Sequence, residues 1–196
     1  MGKPHAERRQ EIIQSALELA AEQGVKKVTT QAIADRVGIA QPTVFRHFKT
    51  RDDIFSDAIA WLADRLFSVI GSVLDERLPP DQRLKKMIET QLDFVSRHRG
   101  LPRMLFSDRL HLESPALKKA VQKVMGRYTG QVADLIRAGI EAGCFDQSLD
   151  PDESARLVAA TIQGLIMRWS IFDFSFRLVD ESEPVWGYVH AALRRH

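Results

Sequence analysis

Five polar residues carry the first chemical signal in this sequence: Gln31, Gln41, Thr43, Arg46 and His47. Their spacing would turn them outward from two short helices, residues 30–37 and 41–48, while Ile33, Ala34, Val37, Val44 and Phe48 turn inward. Amide, hydroxyl, guanidinium and imidazole groups presented together donate and accept hydrogen bonds. Gly38 separates the two helices, and its missing Cβ permits the left-handed backbone of a sharp turn. This is the build of a helix-turn-helix, whose second helix enters the major groove of DNA. An αα-hairpin inside a bundle has the same outline, and the outward side chains are what favour the first reading.

Charge and composition narrow the class further. The first 51 residues hold nine Lys/Arg against five Asp/Glu, a net charge of +4, and the remainder holds 19 against 21, a net −2. A basic head on a slightly acidic body suits a protein that sets one end on a polyanion. At 196 residues, 44% hydrophobic and 28% charged, the chain has a globular composition able to bury a core. Its longest uncharged apolar run, residues 157–167, falls well short of the roughly 20 residues of a membrane span. The N-terminus leads into a charged amphipathic segment and not an apolar signal, so a cytoplasmic protein with no membrane partner is expected. Cys144 stands alone, and Cys-x-x-Cys and His-Glu-x-x-His spacings are missing, so neither a metal site nor a cofactor is expected. No Ser/His/Asp or Cys/His arrangement, phosphate loop or paired catalytic carboxylates emerge, and a non-enzymatic role is expected.

The elements that must position these residues read as helix throughout. Apolar spacing predicts a first helix over residues 8–23, stopped by Gly24, and Thr29-Thr30 offers the cap for the second. Pro42 suits the first turn of the third. A stripe from Ile54 to Leu74 predicts a long fourth helix over residues 52–78, ending before Pro79-Pro80. Asp81 caps a fifth helix, a short sixth follows Pro102, Pro115 starts a seventh, and Asp150-Pro151 starts an apolar eighth reaching Phe172. A ninth begins near Glu183-Pro184. No strand pattern appears, and the fold class is all-α, with about nine helices.

The run Thr29-Thr30-Gln31-Ala32-Ile33-Ala34-Asp35-Arg36-Val37-Gly38-Ile39-Ala40-Gln41-Pro42-Thr43-Val44-Phe45-Arg46-His47-Phe48-Lys49-Thr50-Arg51-Asp52-Asp53-Ile54 resembles the tetracycline-repressor-like (TetR) family of bacterial transcriptional regulators. The capping Thr, Ile-Ala, Val-Gly, aromatic-x-His-Phe and following basic residue fall in register. Detailed similarity covers residues 8–55; beyond that, length and helix order agree. The resemblance implies a DNA-binding domain over residues 1–51 and a helical effector-binding and dimerisation domain over 52–196. It places Gln41 at the start of the recognition helix, where its amide can pair with adenine N6/N7. Pro42 and the Thr43 methyl would pack on a thymine methyl, Gln31 would reach a further base edge, and Arg46 would read guanine or hold a phosphate. Thr30, His47, Lys49 and Arg51 would contact phosphates, Arg51 standing where the family usually has lysine. Phe45 replaces a common tyrosine; it loses one hydroxyl contact and leaves a ring to pack on DNA sugars or the helix core.

One helix-turn-helix presents too little surface for tight specific binding, so a homodimer reading two half-sites of a palindromic operator is expected. Val158, Thr161, Gly164 and Leu165 of the eighth helix and Val189 of the ninth are the candidate dimer surface. The middle helices are rich in aromatic and sulphur side chains. Trp61, Phe94, Met104, Phe106, Met125, Tyr128, Trp169 and Phe172, with Gln163 and Arg168 as polar groups, are the candidate pocket for an apolar or aromatic effector. The expected function is a transcriptional regulator, a repressor in the family's commoner mode, released from double-stranded DNA by that effector. The alternative is a helix-turn-helix protein controlled by a protein partner or by no effector, the exposed aromatics then forming an interface.

Overall fold

A computed structural model describes residues 4–74 and 77–194; Lys3 of the basic head and part of the expected extension of the fourth helix lie outside them. Nine α-helices occur among the described residues, and no strand. They are α1 (His5–Gln23), α2 (Thr30–Val37), α3 (Gln41–His47), α4 (Arg51–Val73), α5 (Pro80–Ser96), α6 (Gly100–Leu105), α7 (Pro115–Glu141), α8 (Pro151–Ile171) and α9 (Ser182–Leu193). Single turns at Val25–Lys27, Arg109–Glu113 and Leu178–Glu181 join some of them.

Two differences from the sequence reading have simple causes. α4 stops at Val73, where the Leu74 N–H closes the final turn on the Ile70 carbonyl. α6 begins at Gly100, so Pro102 lies inside its first turn, where a missing N–H forfeits no helical bond.

The described residues group into two compact units, Met1–Asp64 with His98–Gln122 and Arg65–Arg97 with Lys123–His196. α4 and α7 each contribute residues to both.

In the first unit, α1 packs against α2, α3 and α6. Ile12, Ala16, Ile33, Ala34, Val44 and Ile54 are fully buried there, closing the small core that the apolar spacing anticipated. The contact of α1 with α6 needs a glycine: a Cβ on Gly100 would sit 2.2 Å from the backbone oxygen of Leu17. In the second unit, α5 packs on α9 and the turn at Leu178–Glu181, and α8 packs on α9. Leu84, Met87, Ile88 and Leu92 of α5, with Ile162 and Trp169 of α8 and Val189 of α9, lie in its interior. The Trp169 indole N–H donates to the Phe176 carbonyl at 2.8 Å, satisfying the one polar atom of that buried ring. Among the described residues, no helix is long and apolar enough to cross a membrane.

Candidate nucleic-acid interface

The turn between α2 and α3 is built by local chemistry. Thr29 caps α2 by accepting the Ala32 N–H at 3.0 Å, satisfying one donor of the open first turn. Gly38 ends it at φ 72°, ψ 40°, a backbone conformation that side-chain-bearing residues adopt at a cost. α3 starts at Gln41, and Val44 with Phe48 just beyond its end anchors it in the core. One edge of α3 is thereby held inward and the rest left to solvent.

On that outer face, the Gln41 side-chain amide donates to the Thr30 hydroxyl at 2.9 Å, joining the start of α3 to the start of α2. Arg46 donates to the Thr43 hydroxyl at 3.0 Å, one turn apart on α3. Gln31 donates to Asp35 at 2.7 Å along α2. Pro42, Phe45, Arg46 and Lys49 are exposed, Phe45 at 48% with its ring outside the core. Arg51 is half-buried and donates to the Val28 carbonyl at 3.1 Å, its pKa lowered by burial and then by the neighbouring Arg109 charge. Arg36, part of the basic count, is paired with Glu22 at 2.7 Å and Glu18 at 3.5 Å.

Two residues that the sequence reading did not single out complete the surface. Arg9 of α1 donates to the His47 carbonyl and to the Asp57 carboxylate, with its guanidinium 4.1 Å from the centre of the Phe48 ring. It fastens the end of α3 to α1 and α4. The His5 and His47 rings lie in contact, their centroids 4.3 Å apart and their planes tilted by 38°. His47 titrates below the usual histidine range, because burial disfavours its cation and the charges of His5, Arg9, Arg46 and Arg8 add to that. The signal for both residues was the polar face at the start of α1, which apolar periodicity passes over.

α4 begins with a reciprocal cap: Thr50 Oγ1 accepts the Asp53 N–H at 3.1 Å, and Asp53 accepts the Thr50 N–H at 2.8 Å. Asp52 in the same turn accepts from Arg109 Nε at 2.7 Å, and Lys26 lies 3.3 Å from Asp108, so the segment after α6 is tied to the head.

These features match known proteins. Residues 12–58 match the family described as bacterial regulatory proteins, tetR family, and residues 77–169 match the tetracyclin repressor-like C-terminal domain. The chain belongs to the tetR family. It is a DNA-binding regulator of that family, with the helix-turn-helix in its N-terminal match. Among similar proteins is the nucleoid occlusion factor SlmA of Klebsiella pneumoniae, 28% identical over 95% of each chain. Among solved structures, the fatty acid degradation regulator FadR of Bacillus halodurans aligns with a TM-score of 0.84 at 21% identity over the whole of both chains. FadR of Bacillus subtilis, solved with stearoyl-CoA, aligns with 0.74 at 21% identity over 94% of this chain and 99% of that one. At such identity these structures establish the shared fold.

The other candidate residues fall as follows. Trp61, Met104 and Phe106 belong to the first unit, where Met104 is buried, Trp61 half-buried and Phe106 exposed. Phe94, Met125, Tyr128, Gln163, Arg168, Trp169 and Phe172 belong to the second. Of these, Phe94, Tyr128 and Trp169 are buried, Gln163 is half-buried and Met125 is exposed; exposed Arg168 places its guanidinium 4.6 Å from the Phe172 ring centre. A cavity in the first unit, lined by Val25, Phe55, Ile59, Met104 and others, has a volume of about 10 Å³, room for one water. An open groove of about 550 Å³ in the second unit is lined by residues of α4, α5 and α9, Ser72, Glu89, Asp93 and Ser182 among them, and by none of the ten. Val158 and Val189 are buried, Thr161 and Leu165 half-buried and Gly164 exposed. Among the described residues, no group of three His, Cys, Asp or Glu side chains could hold a metal ion.

Proposed function

We propose that this regulator binds a palindromic operator as a homodimer, reads each half-site with α3, and represses transcription until an apolar or aromatic effector releases it. The observation that carries the reading is the outer face of α3. Gln41 is held at the helix start by Thr30, while Pro42, Phe45 and Arg46 are exposed beside it, Arg46 bonded to the Thr43 hydroxyl one turn away. Gln41 would pair with adenine, Pro42 and Thr43 would pack on thymine methyls, and Gln31 and Arg46 would reach flanking bases. Thr30, Phe45, His47, Lys49 and Arg51 would fix register on the backbone. Such a protein works in the cytoplasm, where its DNA lies, and needs no catalytic group.

Dimerisation is assigned to the outer faces of α8 and α9. Leu157, Gly164 and Ile171 recur every seven residues, in one line along α8; Leu157 and Ile171 are 65% and 63% exposed, and Tyr188 of α9 is 69% exposed. Water-facing apolar surface of this extent is a mark of association. Thr161 and Leu165 flank the line, while the buried Val158 and Val189 support it from inside.

The effector is assigned to the second unit. The Tyr128 hydroxyl is buried there with no hydrogen-bond partner, an unmet demand of about 1–3 kcal/mol that a polar group on a bound ligand would meet. Phe94 and Trp169 supply buried aromatic surface in the same unit.

Selecting duplexes from a random pool tests the core of the proposal. A two-fold symmetric motif is expected, and Gln41→Ala should lose preference at one symmetric pair of positions. No enrichment of any motif would reject sequence-specific reading. A second reading has its own support in the similarity to SlmA over nearly the full chain: a nucleoid-associated role, with a protein partner in place of an effector. Mapping bound sites on the chromosome separates the two, since scattered sites away from promoters favour the second.

A further inference from the structure

His5 opens α1, His47 closes α3, and their imidazole centroids lie 4.3 Å apart with planes tilted by 38°. His5 is exposed, while Nδ1 of His47 is buried and has no hydrogen-bond partner. The charges around His47 are one-sided. From α1 come Arg8 and Arg9, and from α3 itself Arg46. Among the acids of the packed elements, Asp57 of α4 is engaged by Arg9, Asp52 by Arg109, Asp53 by the Thr50 N–H and Glu11 of α1 by Arg8 at 2.7 Å, while Glu7 of α1 lies exposed to solvent. A proton added to His47 in the free protein therefore meets cations and a partly buried ring, and two imidazolium ions at this separation would repel each other. A phosphate oxygen laid against the same surface reverses the balance, because it stabilises one imidazolium by charge and by a charge-assisted hydrogen bond. The first turn of α1 has no side-chain cap, and the positive end of its dipole is offset in part by the exposed Glu7 of that turn.

We infer that His5 and His47 form one proton-binding pair at the DNA backbone, that His5 is itself a phosphate-contact residue, and that the pair takes up a proton when the duplex binds. This rests on the assignment of α3 as the DNA-reading helix. Linkage then fixes the sign: affinity for DNA rises as pH falls, because the complex binds more protons than the separate partners.

A duplex recovered from the random-pool selection serves as the probe, titrated calorimetrically with the full chain at pH 7 in two buffers of unequal ionisation heat. A buffer-dependent enthalpy that reports net proton uptake is expected, with affinity rising about three- to fivefold from pH 8 to pH 6, the part of a one-unit pKa rise that this window captures. Exposed His5→Gln should cut both effects by half or more, and His47→Gln should remove them. Equal enthalpies in the two buffers, or a native pH slope in His5→Gln, would overturn the inference while leaving DNA binding intact. Failure of the native protein to bind any duplex at any pH would overturn the DNA-binding assignment as well. Should His47→Gln fold poorly, ring-proton NMR of the native protein tests the same point. The His47 pKa should rise when the duplex is added, and an unchanged value refutes the pair.

Discussion

The Gln41 amide donates to the Thr30 hydroxyl at 2.9 Å, so the first residue of α3 is positioned by the first residue of the helix before it. A flexible side chain loses rotamer freedom when it binds, and this bond removes part of that cost beforehand. Gln41→Ala should cost about 1–3 kcal/mol of specific binding and relax preference at one base pair per half-site. Thr30→Val should weaken binding less and leave the preferred sequence unaltered. Fluorescence anisotropy with the selected duplex and single-base variants of it checks both, and a changed preferred base in Thr30→Val would contradict the positioning role.

Arg9 links three helices through the His47 carbonyl, the Asp57 carboxylate and the Phe48 ring. Its side chain is 34% exposed and that of Asp57 40%, so solvent screens much of the charge term. Arg9→Met should lower stability by about 1–2 kcal/mol in urea denaturation. Its loss of DNA affinity should be larger than that of Lys49→Met, because the end of α3 loses its anchor. Equal losses would reduce Arg9 to one more phosphate contact.

Gly100 and Gly164 should respond oppositely to alanine. A Cβ on Gly100 would lie 2.2 Å from the Leu17 oxygen, and backbone cannot yield cheaply, so Gly100→Ala should destabilise by about 1–3 kcal/mol or more. A Cβ on Gly164 meets nothing within 4 Å in its own chain, so Gly164→Ala should stabilise α8 by up to about 1 kcal/mol. If α8 packs closely on a second copy, the same change should weaken the dimer in sedimentation measurements. A dimer of unchanged strength would remove Gly164 from the interface.

Stability without DNA should depend on pH through His47. Its folded-state pKa lies below the usual 6.5, so between those two values the unfolded chain binds more protons. The contribution is fully present above pH 6.5 and declines as pH falls through the folded-state value. Urea midpoints at pH 8 and pH 5.5 should differ less in His47→Gln than in the native chain, and an identical difference would assign the effect to another group.

The helix-turn-helix was legible because its demands are local: a capping threonine at 29, a left-handed glycine at 38 and apolar residues at 33, 34, 44 and 48. The order of nine helices followed from apolar periodicity in the same way. What stayed hidden depends on residues far apart in the chain. Nothing in the sequence marks Gly100 until Leu17 is seen beside it, and Arg9 is one charge among many until it meets His47 and Asp57. The aromatic residues of the middle helices were read as one set, but composition carries no information on how they divide, and Trp61 and Trp169 fall in different units.

The close seating of Leu17 on Gly100 has a consequence for how the reading head is handled. A fragment cut after Asp64 would strip α1 of the flank that α6 covers, baring Leu17 to water and removing the Arg109 partner of Asp52. Grafting the first 64 residues onto a foreign body should therefore give a poorly folded reader unless a stand-in for residues 98–122 travels with them.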